Sequence, residues 1–466
     1  MKDNKMDRRT FLRNSVLGFT GMSMASSLML HMSCNRADNA MRPNILLIVA
    51  DDAGWNDVRY HGSEIKTPNI DELTKSGVEL NRFYVCPTCS PTRASLLTGR
   101  FASRYGILGP ISMKSKQTLP PDTVTLPELL SRHGYTTAIT GKWHLGLRPE
   151  SGPGKYGFQH TYGYLHGQID QYTHHYKNGD TSWHRNGEFL DEEGHATDLI
   201  TNEAIRYMRE LRDPSRPFFL YVPYSVPHYP LQEEQKWIEP YEKIITNESR
   251  RKFAASMTHM DHAIGRLIEV LEAENLRKNT LVIFISDNGG QESWTPTFEY
   301  NMKFSANDRL GDNSPLRDWK GSLYEGGIRV PACFNWPEKL KPGVSDQVGH
   351  AVDLLPTIAS MIGIPIMSEM QIDGLNVWNQ IAHDQTITER TLYWRTSGQY
   401  SIRKGNWKLV HTGNSLDSGM NELFNLSRDP NETQDVARSN PEILSDLLSK
   451  LREQSVSDQS LAKNME

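Results

Sequence analysis

The chain has 466 residues, enough for two domains and a large core, with 37% hydrophobic residues and a formal net charge of -5. That mixed, slightly acidic balance gives no footing for a nucleic-acid partner, and four cysteines in this length exclude a disulfide-built scaffold. There is no internal repeat and no low-complexity segment.

Asp7-Arg8-Arg9-Thr10-Phe11-Leu12 precedes a weakly apolar stretch, residues 16–30, broken by Gly18, Gly21 and several serines. A twin arginine before a mild apolar stretch resembles a bacterial twin-arginine (Tat) export signal, and the stretch is too short and interrupted to span a membrane. Residues 1–40 are therefore read as a leader, with export to the periplasm or to a membrane-anchored position beyond it. Cys34 after Ser33 is a candidate lipid anchor, although His31 stands where an aliphatic residue is usual; the other reading is a cysteine before an ordinary cleavage site.

Residues 45–50 read as a fully buried strand that stops at Asp51-Asp52-Ala53-Gly54. Cys86 and Cys89 follow, the latter leading into Ser90-Pro91-Thr92-Arg93 and, after a short apolar run, Thr98-Gly99-Arg100. A cysteine with Pro91 and Arg93 close behind sits on a stiffened turn with a guanidinium at hand, which suits an anion-handling nucleophile. The competing reading is a redox or zinc-binding Cys-x-x-Cys pair, but zinc needs a second pair of soft ligands and only the distant Cys34 and Cys333 remain.

Thr125 and Pro127 open a helix that Gly134 ends. The strand over 136–140 leads to Lys142 and His144, and the strand over 218–222 leads through Pro223 and Pro227 to His228. Residues 251–273 carry Ala254, Met257, Met260, Ile264, Leu267 and Leu271 at helical spacing, with His259 and His262 read as surface residues. The strand over 281–285 stops at Ser286-Asp287-Asn288-Gly289. Strands alternating with helices predict a doubly wound α/β fold with a mixed or parallel sheet, and such sheets bind ligands beyond the carboxyl ends of their strands. Acids, amides and bases at four strand ends therefore predict one shared site.

From about residue 345 short strands over 391–394, 400–403, 407–410 and 422–425, closed by a helix over 441–451, predict a small antiparallel subdomain. The expected division is a catalytic domain over 43–344 and a C-terminal subdomain over 345–466.

The stretch from Cys89 to Arg100 resembles the signature of type I sulfatases, of the alkaline phosphatase superfamily, and Asn313 to Pro331 resembles that family's second characteristic stretch. The resemblance implies that a maturation enzyme oxidises Cys89 to formylglycine, whose hydrate attacks the sulfur of a sulfate ester. By position it implies a calcium ion held by Asp51, Asp52, Asp287, Asn288 and the oxygen at residue 89, a hard oxygen-only set. It implies that Arg93, Lys142 and Lys320 neutralise charge, that His228 protonates the leaving alcohol, and that His144 takes the proton that regenerates the aldehyde. Phosphatases of similar architecture use Ser or Thr and two zinc ions with several His ligands, whereas here the Asp287-Asn288 pair is not followed by His and no Asp-x-x-x-His zinc pattern accompanies it. A formylglycine-dependent phosphonate or phosphodiester hydrolase, a broad aryl sulfatase and a non-catalytic glycan-binding protein are the other readings.

The loop over 164–175 follows one of the catalytic strand ends and is both polar and aromatic, so His166, Gln168, Asp170, Tyr172 and His174 are expected to read a sugar. It also resembles the corresponding segment of sulfatases acting on galactosamine-type sugars. A sulfated carbohydrate is the expected substrate.

Overall fold

Ile45, Leu47 and Val49 face one side of a large sheet and Leu46, Ile48 and Ala50 the other, all six fully buried. A strand covered on both faces cannot alternate with polar residues, which is why this run is continuously apolar. Each such side chain contributes on the order of 1.5–3 kcal/mol by leaving water. The structure, a computed structural model, describes residues 42–113, 115–383, 385 and 389–462. The predicted leader over residues 1–40, with its twin arginine and Cys34, lies outside the described residues.

The sheet has ten strands. In spatial order they are Gly343–Ser345, Val78–Leu80, Ala332–Asn335, Thr280–Ser286, Asn44–Ala50, Phe218–Pro223, Thr136–Lys142, His160–Tyr164, Trp183–Arg185 and Glu188–Phe189. The central strands run parallel, so their carboxyl ends share one edge, while Ala332–Asn335 and Trp183–Arg185 run against them and Glu188–Phe189 pairs antiparallel with the latter. The α/β expectation holds, with a mixed sheet. The helices Cys89–Thr98, Leu126–Arg132 and Leu354–Met361 cover one face through Leu96, Leu97, Leu129 and Leu355. Pro68–Lys75, Ala196–Arg206 and Glu248–Ala273 cover the other through Ile70, Ile200, Met257 and Leu267.

The helix ends follow the expected chemistry. The Thr125 side chain accepts from the Glu128 N–H at 3.4 Å, and the Asn247 side chain accepts from Arg250 N–H at 2.8 Å. One expectation fails: His262 is exposed, but His259 is buried, with its ring stacked on Trp237 at 4.7 Å and bonded to Glu233 at 2.8 Å.

From Asn44 onward the chain forms one compact unit. Within it, Thr391–Arg395, Gln399–Lys404, Trp407–Ser415 and Ser418–Asn425 make the expected antiparallel sheet, and Pro441–Ala462 packs on it through Leu447 and Leu451. Phe101 and Val352 share that core with Tyr393 and Leu409, which ties the small sheet to the segment just after the Cys89 helix. No helix among the described residues is long and apolar enough to cross a membrane.

Candidate active site

The strand ends deliver a buried cluster of charge. Asp51, Asp52, Asp287 and Asn288 are all at most 1% exposed. Asp52 takes the left-handed region (φ 78°), which a short polar residue tolerates, and this turn brings its N–H onto Asp287 Oδ1 at 3.2 Å. Lys142 donates to Asp51 Oδ2 at 2.6 Å, Lys320 to Asp52 at 2.6 and 2.8 Å, and Asn288 Nδ2 to Asp52 Oδ1 at 2.8 Å. Arg93 grips Asp287 Oδ2 through Nη2 at 2.7 Å and Nε at 3.2 Å. Burial pushes Asp51 up to about 7 against the pull of Lys142. Burial acts the same way on Asp52, but Lys320 and His228 overcome it and hold that carboxyl at about 2. Two buried oxygens, Asp51 Oδ1 and Asn288 Oδ1, have no hydrogen-bond partner. Unpaired oxygens in a dry site are costly unless a cation meets them.

Cys89 is the first residue of the helix Cys89–Thr98 and is 2% exposed. A helix amino end carries unpaired N–H groups and positive potential, so an anion beside residue 89 is favoured. Pro91 stands in the first turn, where its missing N–H costs nothing, and Arg93 lies four residues on, over the same face as Cys89. Burial pushes the Cys89 thiol up, with Lys142 and Lys320 opposing it. Cys86 and Cys89 are both free, and Cys86 Sγ lies against Ser95 Oγ at 3.6 Å.

The histidines are oriented through their second nitrogens. His144 Nε2 donates to Ile111 O at 3.1 Å, and its buried Nδ1 has no partner. His228 Nδ1 donates to Tyr229 O at 2.6 Å, which turns Nε2 toward Asp52, 3.8 Å away. Burial, then Lys142 and Arg93, push His144 well below the usual histidine value; burial and Lys320 do the same to His228. Both rings are thus neutral bases before substrate arrives.

The sulfatase family model matches residues 43–364, and the model described as N-sulphoglucosamine sulphohydrolase, C-terminal, matches residues 318–457. The chain belongs to the sulfatase family. It is 33% identical to arylsulfatase J of Mus musculus, covering 88% of this chain and 75% of that one. It is 30% identical to the N-acetylgalactosamine-6-sulfatase of the same species, covering 84% of this chain and 81% of that one. Among solved structures, that of Ps i-CgsB in complex with k-i-k-neocarrahexaose superposes with a TM-score of 0.80 at 31% identity, covering 90% of this chain and 94% of that one. The chain is a sulfuric ester hydrolase, and the cluster around Cys89 is the candidate centre of this sulfatase.

The loop expected to read a sugar adjoins that centre. Gly167 lies so close to His144 that a Cβ there would stand 2.5 Å from the ring. The Asp170 carboxylate accepts from the Tyr172 and Thr173 N–H groups at 3.0 Å each, from Gln232 at 3.2 Å and from Lys303 at 2.7 Å, so it shapes the loop. His174 is likewise committed, bonded to Gly194 O at 3.1 Å and stacked on Trp183 at 4.5 Å. His166 stacks on Tyr176 at 4.4 Å and bonds Ser182 Oγ at 2.7 Å, and burial lowers it to about 4. Gln168 is buried with Nε2 unpartnered, while Tyr172 is 40% exposed.

Sequence reasoning missed Tyr229 and Trp294, whose rings stack at 4.4 Å outward from His228, itself 4.2 Å from Tyr229. It also missed Ser90, whose hydroxyl donates to His144 O at 2.9 Å and accepts from Ile111 N–H at 3.1 Å, fixing the backbone on both sides of His144's partner. The adjacency of Tyr229 to His228 and of Ser90 to Cys89 was the available signal.

Proposed function

We propose that this sulfatase acts with Cys89 converted to formylglycine and a calcium-class cation, and that its substrate is a sulfated carbohydrate, a glycosaminoglycan or similar chain with galactosamine-type sugars as first candidates. One observation carries the reading: Cys89 at a helix amino end, three cations, two neutral imidazoles and four oxygen-bearing side chains converge at one edge of the sheet. The donor set fits calcium, since Asp51, Asp52, Asp287 and Asn288 offer only oxygens and two of these lack partners. A bound calcium would act as a Lewis acid toward sulfate oxygens, and maturation would give residue 89 an aldehyde whose hydrate carries the attacking hydroxyl.

The chain's own residues supply the rest. Arg93, Lys142 and Lys320 present fixed positive charge where sulfate charge shifts between oxygens. His144 offers the unpartnered Nδ1 lone pair as the proton acceptor that frees the second hydroxyl. His228 must first gain a proton at Nε2 to act as the acid, and an anionic sulfate beside it counters the burial and Lys320 that now disfavour its charged form. The carbohydrate assignment is supported by the N-acetylgalactosamine-6-sulfatase relative and by the oligosaccharide complex at 31% identity. The aryl sulfatase reading is favoured by the arylsulfatase J relative.

Release of inorganic sulfate from sulfated galactosamine oligosaccharides and from a small aryl sulfate, side by side, separates the two. Faster turnover of the glycan is expected; a preference for the aryl compound would overturn the substrate assignment. Mass spectrometry of the Cys89 peptide tests maturation, and an active preparation with an intact thiol would sink it. We also propose export by the twin-arginine route to the periplasm or a membrane-anchored position, with Cys34 as the candidate lipid anchor.

A further inference from the structure

A second group of metal-binding side chains lies outside the Cys89 cluster. His195 stands just before the helix Ala196–Arg206, Glu233 follows the His228 segment, and His259 is on the helix Glu248–Ala273. Each offers a ligand atom within 4.8 Å of the others. All three side chains are at most 2% exposed. We propose that His195, Glu233 and His259 form a second metal site, for a zinc-class divalent ion, distinct from the oxygen-only cluster at the strand ends.

The observation that points to a ligand is an orphaned nitrogen. Nε2 of His195 is buried, has no hydrogen-bond partner and faces the Glu233 carboxylate, which also meets His259 Nδ1. Leaving an imidazole nitrogen dry and unpaired beside a carboxylate is costly, and a metal ion held by His195 Nε2, Glu233 and His259 Nδ1 would satisfy it. The rings lie side by side, centroids 4.8 Å apart, with Glu233 Oε1 3.6 Å from His195 Nε2 and Oε2 2.8 Å from His259 Nδ1. Asp198 Oδ2 lies 3.4 Å from His259 Nε2, so it takes the other ring nitrogen and orients the imidazole from behind.

Two imidazoles with carboxylate oxygen suit zinc and its neighbours, whereas calcium prefers oxygen alone. The surroundings are those of a closed structural site: Trp237 covers the outer face of His259 at 4.7 Å, and Ser256 Oγ donates to Glu233 Oε1 at 2.8 Å. Ligation carries a cost, because a metal on His195 Nε2 moves the ring proton to Nδ1 and gives up the 3.2 Å bond from Thr197 N–H. The gain is mechanical. One ion would fasten the segment that carries His228 to two helices on the same face of the sheet.

Metal analysis of the full chain tests this without relying on turnover. After incubation with zinc in the presence of excess calcium, followed by dialysis, the wild type is expected to retain one equivalent of zinc. His195→Ala and Glu233→Gln should retain none, and Asp52→Ala, which breaks the other cluster, should retain it. Cobalt in place of zinc should give the visible bands of a tetrahedral nitrogen–oxygen site in the wild type, and this reading stands even where a variant fails to fold. A wild type that keeps no zinc and shows no such bands would overturn the proposal. Full retention by His195→Ala, or loss of zinc in Asp52→Ala, would do so too.

Discussion

Asp287 holds Arg93 with one carboxylate oxygen and the Asp52 N–H with the other, so it organises two sides of the centre at once. Asp287→Ala should therefore lose bound calcium and lower turnover by at least about a hundredfold, the scale on which removal of a positioned charge acts. It also strands the Arg93 guanidinium, a buried charge, at a cost of about 3–5 kcal/mol. Metal analysis and sulfate release on one preparation check both effects, and undiminished turnover without metal would contradict them. The grouping of Asp51, Asp52, Asp287, Asn288, Lys142 and His228 was legible in the sequence because each sits at or just past the end of an apolar run. The commitments of Asp170 and His259 were not. Their partners, Lys303 and Glu233, lie in other parts of the chain, and a polar residue looks the same whether it faces water or a distant ion pair.

The long apolar strands were readable because both faces are buried. The two short strands at one end of the sheet, Trp183–Arg185 and Glu188–Phe189, were not, since two or three residues carry no period. That edge is held by charge: Glu203 of the helix Ala196–Arg206 meets His160 at 2.9 Å, Arg206 at 3.0 Å and Arg185 at 3.3 Å. Burial opposes the Glu203 charge, but these partners overcome it and lower the carboxyl from 4.5 to about 2. A carboxyl depressed in the folded state binds fewer protons there than in the unfolded chain. Its stabilisation is therefore present above pH 4.5 and fades as pH falls toward 2. Glu203→Gln should destabilise the protein by about 1–2 kcal/mol at neutral pH, after allowance for solvent screening. The gap should narrow on acidification. Urea unfolding at a series of pH values measures it, and a gap that widens toward acid would refute the assignment.

At the scale of the whole molecule two links remain to be tested, export and the attachment of the small sheet. Changing Arg8 and Arg9 to Lys should leave the protein in the cytoplasm, and unchanged export on fractionation would reject the twin-arginine route. The second link is Lys408, on the strand Trp407–Ser415, whose side chain is fully buried between Glu325 at 2.9 Å and Glu432 at 2.8 Å. Glu325 also accepts from the Tyr84 hydroxyl at 2.7 Å and opens the short helix Glu325–Ile328. That helix packs so tightly behind the strand-end cluster that a Cβ on Gly289, next to Asn288, would stand 1.8 Å from Gly326 O. The small sheet thus positions, through one ammonium group, the backbone that supports Asn288. Burial pushes Glu432 up to about 7 even with Lys408 beside it. Lys408→Met would leave Glu432 without its ammonium partner and Glu325 with only Arg329 at 3.8 Å, and should cost about 3–5 kcal/mol, with activity falling as the helix shifts. Adding Glu325→Gln to Lys408→Met removes the stranded charge and should restore part of the lost stability. Thermal unfolding of the wild type, the single and the double variant decides the matter. If Lys408→Met melts with the wild type, or the double variant is no more stable than the single, the small sheet is not coupled to the centre through this pair.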